Sequence, residues 1–186
     1  MVRRKRVLRT IAPLIVFGGM LCANHVKYRH WNERMQMPGR VPVSGREIAP
    51  NFTLPKPTGE MLALTAFRGR PIVVEFWATW CGPCQTQFHA LSDLDPGLRA
   101  KIALVAINVE EESTIVRSFL DRHAIPAEVL LDSSGLVAAE YRVDVLPTTV
   151  FVGGDGRVLL RHVGRIQDWN DFVMDGLRRS SGEAEP

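Results

Sequence analysis

From Ile48 onward, short apolar runs alternate with amphipathic stretches, and no internal repeat interrupts them. Ile72-Val73-Val74-Glu75-Phe76-Trp77 is apolar on both alternate faces except at Glu75, the pattern of a central strand covered on each side. It predicts a buried carboxylate. Ile102 to Ile107 reads as a second buried strand and Val129-Leu130-Leu131 as a shorter third. Between them, Gln85 to Leu94 sets Phe88, Leu91 and Leu94 at helical spacing and is ended by Pro96-Gly97. Ser113 to His123 turns Ile115, Val116, Phe119 and Leu120 to one face. Such alternation predicts a parallel α/β core. A short helix over Leu136 to Tyr141 follows, then a hairpin of Thr148 to Val152 and Val158 to Val163 across Gly153-Gly154-Asp155-Gly156, then a closing helix over Gln167 to Arg179. Phe52-Thr53-Leu54 and Met61-Leu62-Ala63-Leu64, parted by Pro55, Pro57 and Gly59, read as an N-terminal β-hairpin. The expectation is one domain at 47–181 with a mixed central sheet flanked by helices, and a tail at 182–186.

The pattern changes ahead of that domain. Residues 1–46 hold ten Lys/Arg against Glu33 alone, whereas the remaining 140 carry thirteen against nineteen acids. The net charge of +3 therefore belongs to the leader. An acidic domain has little attraction for phosphate, so nucleic-acid binding is excluded from the expected partners. Arg3-Arg4-Lys5-Arg6 precedes an uncharged run from Ile11 to Ala23, the charged and hydrophobic regions of an export signal. As a helix that run spans about 20 Å, short of the roughly 30 Å hydrocarbon core. Cleavage needs small residues, and Leu21-Cys22-Ala23 has Leu at the first position. Extended over Leu8 to Val26, with Arg9 snorkelling, the segment nearly spans a bilayer. Residues 1–26 are read as an uncleaved signal-anchor and 27–46 as a basic tether near anionic headgroups. The reading is single-pass, with the domain outside the cytoplasmic membrane.

Trp80-Cys81-Gly82-Pro83-Cys84 sets two thiols three positions apart where a strand gives way to a helix. Cys81 then caps the helix, its thiolate stabilised by unpaired N–H groups and the positive helix end. Cys84 lies one turn in, close enough to pair with it. Cys81 is the expected accessible nucleophile and Cys84 the resolving thiol. Cys84 must lose a proton once a mixed disulfide has formed, which needs a base in a partly dry site. Glu75, six residues before Cys81 on the apolar strand, is the candidate, with a pKa raised by desolvation. Half a zinc site is the competing structural reading, but the one other cysteine, Cys22, lies in the leader. In Leu146-Pro147-Thr148-Thr149, Pro147 precedes a strand and suits a cis bond. Such a bond would offer the Leu146 backbone as an edge for an extended substrate. Trp80, Gly82, Pro83, Leu146 and Pro147 are thus the expected substrate-contacting residues.

Phe76-Trp77-Ala78-Thr79-Trp80-Cys81-Gly82-Pro83-Cys84 with Leu146-Pro147-Thr148-Thr149 resembles the thioredoxin fold. Ala49-Pro50-Asn51-Phe52-Thr53-Leu54 and Phe67-Arg68-Gly69-Arg70-Pro71 narrow the resemblance to the membrane-anchored TlpA/ResA-like thiol-disulfide oxidoreductases, within the AhpC/TSA-related superfamily. The helix and strand between Glu111 and Leu131 match the insertion of that group. The resemblance implies a redox-active Cys81–Cys84 disulfide with no other cofactor, and a periplasmic reductase of bacterial exported proteins. Electrons would come from a transmembrane thiol reductant and go to oxidised protein or apocytochrome c thiols. Two positions depart from the group: Glu75 stands where many members are uncharged, and Gln87 where some cytochrome-maturation members carry Glu. The alternatives are a thiol oxidase, a peroxidase and a copper-binding or chaperone module. A peroxidase would want Thr at 78 and Pro at 74, where Ala and Val stand; copper handling would draw on the thiols with Met35 and Met37.

Overall fold

The computed structural model describes residues 39–183. The signal-anchor reading, Cys22, Met35 and Met37 therefore lie outside the described residues. Among the described residues there are eight strands: β1 (Gly39–Val41), β2 (Thr53–Pro55), β3 (Met61–Ala63), β4 (Ile72–Trp77), β5 (Ala103–Val109), β6 (Glu128–Asp132), β7 (Thr148–Val152) and β8 (Val158–Val163). The helices are α1 (Gly82–Ser92), α2 (Pro96–Arg99), α3 (Ser113–Leu120), α4 (Leu136–Glu140) and α5 (Trp169–Ser180).

Six strands make one sheet in the order β1-β8-β7-β4-β5-β6, and β2 and β3 pair separately as a hairpin. β4, β5 and β6 run parallel, joined by α1 and α3, while β7, β8 and β1 add antiparallel. The mixed sheet follows from the sequence. β4 and β5 are buried at every position, as strands covered on both faces must be. One face carries α1 and α5; Phe76 points to the other, where its ring meets Tyr141 just after α4 at 5.1 Å. Trp77 ties the strand to both crossover helices, packing edge-on to Phe88 of α1 at 5.3 Å and against Phe119 of α3 at 5.4 Å.

Two elements depart from the pattern. Pro96-Gly97 opens a short helix, α2, instead of only closing the one before it. The Asp95 carboxylate accepts the Leu98 N–H at 3.0 Å, and Pro96 takes a first-turn position that needs no N–H donor. β1 lies within the basic stretch read as a tether, pairing with β8 so that Arg40 stands opposite His162. Its signal is a cation, not an apolar run: Arg40 spans to Asp171 (2.7 Å) and the buried Asp175 (2.6 Å) of α5. Three residues of a solvated edge have too little alternation to announce a strand.

Candidate active site

The C-terminal end of β4 delivers the chain into Ala78-Thr79-Trp80 and then into α1. Cys81 is the N-cap, as its position predicts: its Sγ accepts the Cys84 N–H at 3.2 Å, and its carbonyl accepts those of Cys84 and Gln85. Cys81 and Cys84 are joined, with S–S 2.04 Å and Cα–Cα 5.3 Å. The expected accessible Cys81 is not found in this oxidised state, where it is 1% exposed and Cys84 is fully buried. Both cysteines pack within the buried core cluster. Gly82 and Pro83 are exposed and Trp80 is half-buried, so these three form the surface over the disulfide.

Beside it, the Leu146–Pro147 bond is cis, as expected, and both residues are buried. The β4–β7 register sets Thr148 against Phe76, which brings Pro147 to the end of β4 where the Cys81 loop begins. Gly164, with φ of 86°, donates its N–H to the Pro147 carbonyl at 2.8 Å, and the Thr148 hydroxyl donates to Val145 at 2.7 Å. The loop is pinned from both sides.

Glu75 is 2% exposed in the middle of β4, directly opposite Thr149 of β7. Its carboxylate accepts the Gln87 amide at 2.6 Å and the Thr149 hydroxyl at 2.7 Å. Gln87 follows Cys84 by three residues on the buried face of α1, which puts the hydrogen-bond partner of Glu75 about one helical turn beyond the second cysteine. The Gln87 carbonyl accepts the Ile166 N–H at 2.7 Å. Burial pushes the Glu75 carboxyl up to about 7, and the hydrogen bonds from Thr149 and Gln87 pull partway back. Both donors are neutral, so no cation fixes the ionised form.

Read in sequence as a departure from the group, Gln87 is the hub linking Glu75, Thr149 and the loop after β8. Its legible signal is a polar residue one turn beyond Cys84 on the apolar face. His162 and His123 have partners that spacing does not reveal: the Arg165 carbonyl at 3.0 Å and the Phe119 ring at 4.4 Å. Among the described residues no group of three His, Cys, Asp or Glu side chains is placed to hold a metal ion. An open groove lined by Thr79, Gln85, Ile115, Phe119 and His123 adjoins the Cys81 loop. A second hollow, between Phe67 and Gly154, lies at the far end of β4 and takes no part in the site.

Known proteins carry the same frame. The AhpC/TSA family profile matches residues 46–161. The thioredoxin-like protein YneN of Bacillus subtilis is 32% identical over 151 residues, covering 79% of this chain and 88% of its own. The thiol-disulfide oxidoreductase ResA of the same organism is 30% identical over 144 residues, covering 74% and 80%. The crystal structure of a Chlorobium tepidum protein assigned as the thiol:disulfide interchange protein DsbE superposes with a TM-score of 0.63 at 30% identity, covering 72% of this chain and 95% of that one. With a bonded CxxC at the head of α1 and a cis-proline beside it, the chain belongs to the AhpC/TSA family and, within it, to the ResA-like thiol-disulfide oxidoreductases.

Proposed function

We propose that this oxidoreductase is a membrane-tethered reductase working outside the cytoplasm, with Cys81 as nucleophile, Cys84 as resolving thiol and Glu75 as the base that serves Cys84. In the reduced enzyme the Cys81 thiolate attacks a substrate disulfide, forming one S–S bond and expelling one substrate thiolate. Cys84 then gives up its proton and attacks Cys81 Sγ, releasing the second substrate thiol and restoring the Cys81–Cys84 disulfide. The observation that carries this reading is a buried carboxylate, pushed up to about 7 by burial and hydrogen-bonded to Gln87, which stands one helical turn beyond Cys84 on α1. At that pKa it can take a thiol proton, directly or through one water, and return it later.

The edge beside cis-Pro147 supports docking of an extended substrate segment at Leu146, with Trp80, Gly82 and Pro83 as the facing surface. Gly82-Pro83 between the cysteines, as in thioredoxin, favours reduction. The basic leader supports an anchor at 1–26 and a tether from residue 27 up to β1, with a catalytic domain that begins at β1 rather than at residue 47 and lies on the periplasmic side of a bacterial membrane. No helix among the described residues is long and apolar enough to cross a membrane, so the anchor rests on the leader alone. A transmembrane dithiol carrier is the fitting electron donor, because the oxidised site must be recharged on that side. Exported proteins with disulfides are the fitting acceptors. Gln87 in place of Glu argues against a narrow apocytochrome c specialism, and Ala78 and Val74 leave no peroxide-activating hydroxyl.

The equilibrium reduction potential of the Cys81/Cys84 pair tests direction. A value close to about −270 mV, as in thioredoxin, supports the reductase; one close to about −120 mV, as in DsbA, makes the protein an oxidant and removes the donor.

A further inference from the structure

Val109-Glu110-Glu111-Glu112 leads from β5 into α3, and three carboxylates in a row suggest a solvated turn. The middle one is buried. Glu111 is 8% exposed; one carboxylate oxygen accepts the main-chain N–H of Thr79 and the Asn108 amide, each at 2.6 Å, and the other accepts the Thr79 hydroxyl. From α1, Gln85 donates to the Thr79 carbonyl at 2.7 Å. Every polar group of Thr79, two residues before Cys81, is thus held by a side chain.

Glu111 is itself held in place. Glu110 adopts φ of 57°, in the left-handed region that non-glycine residues seldom enter, with its N–H bonded to the Asp132 carbonyl at 2.9 Å. Ser133 donates to the Glu111 carbonyl at 2.8 Å. A buried carboxylate is costly unless hydrogen bonds satisfy it, and these bonds are all spent on the approach to the reactive sulfur and its support.

We propose that Glu111 is a positioning residue of the redox site, clamping Thr79 so that the Thr79-Trp80-Cys81 turn holds Cys81 Sγ in line for exchange. Attack on a disulfide forms one S–S bond as another breaks, and the leaving sulfur takes the electron pair, so the three sulfurs must align. Glu111 exchanges no proton in this step. Its part is geometric, and the braces from Asp132 and Ser133 bring the β6–α4 loop into the same support. This inference deepens the redox reading.

Because Glu111 only accepts hydrogen bonds, glutamine can stand in for it. The amide carbonyl accepts the two N–H groups, and the amide nitrogen faces the Thr79 hydroxyl, which turns to accept. The test is the reaction of the reduced full chain, in detergent, with oxidised glutathione across a pH range. The alkaline plateau reports attack by a fully ionised Cys81, free of any change in its pKa. Glu111→Ala is expected to lower that plateau about 10-fold, and Glu111→Gln to restore it to within about threefold of the parent. Thr79→Val, which keeps the main-chain N–H and loses the hydroxyl, falls between them, and it carries the test if Glu111→Ala does not fold. An unchanged plateau in Glu111→Ala, or in Thr79→Val where that stands in, overturns the proposal, as does a glutamine variant as slow as alanine. A parent chain that does not react with the disulfide strikes instead at the redox reading.

Discussion

Two buried glutamates flank the Cys81 loop, and they are held by different kinds of donor. Glu75 lies mid-strand under α1 and receives two donors, both neutral side chains, from Gln87 and Thr149. Glu111 lies past the end of β5 and receives three, one of them the Thr79 main-chain N–H. A carboxylate held by neutral side chains alone grips no main-chain group directly. One that holds a backbone N–H is committed to geometry, since that bond fixes the chain it belongs to. The comparison teaches that burial alone does not assign a role to an acid; what it grips does.

The largest effect comes from removing the chemistry that both acids serve. Cys81→Ser is expected to abolish exchange, while Cys84→Ser leaves attack intact and accumulates a mixed disulfide on Cys81, visible on a non-reducing gel. Failure to recover that adduct reverses the assigned order and severs Glu75 from its thiol. Next, Glu75→Gln is expected to slow resolution by about 100-fold while the first attack stays near the parent rate, the opposite signature to Glu111→Ala. Stopped-flow separation of the two steps checks this.

Stability against pH sharpens the contrast further. Glu75 holds its proton up to about 7 in the folded chain but only to about 4.5 in the unfolded one. Folding stability from this group is therefore full below pH 4.5, falls as pH rises and levels off above 7. The loss is about 3 kcal/mol relative to Glu75→Gln, measured by urea melts at both ends of the window. The smallest effect is a control outside both sites. A Cβ at Gly176 of α5 would come within 2.3 Å of the fully buried Phe151 ring, so Gly176→Ala is expected to cost about 2 kcal/mol. Its exchange rates should match the parent in the same assay.

The strands of the core were legible because burial on both faces leaves continuous apolar runs; β4, β7 and β8 have the boundaries that the pattern predicts. The two cysteines, the cis-proline and Glu75 were legible because each breaks a local rule: a thiol pair at a helix start, a proline ahead of a strand, an acid amid valines. Glu111 breaks none, since it stands among other carboxylates at a loop. Its burial comes from Thr79 and Asn108, 32 and three residues away in sequence, and only the folded chain brings the three together. β1 escaped for a related reason, being fixed by Arg40 against acids on α5 over 130 residues later.

The central claim, that Glu75 takes the Cys84 proton, is tested most directly by the pH dependence of the resolution step alone. A preformed mixed disulfide on Cys81 is allowed to resolve in the parent and in Glu75→Gln. The parent rate should rise through an inflection near pH 7 that the variant lacks; an inflection that persists unchanged in the variant would contradict the account.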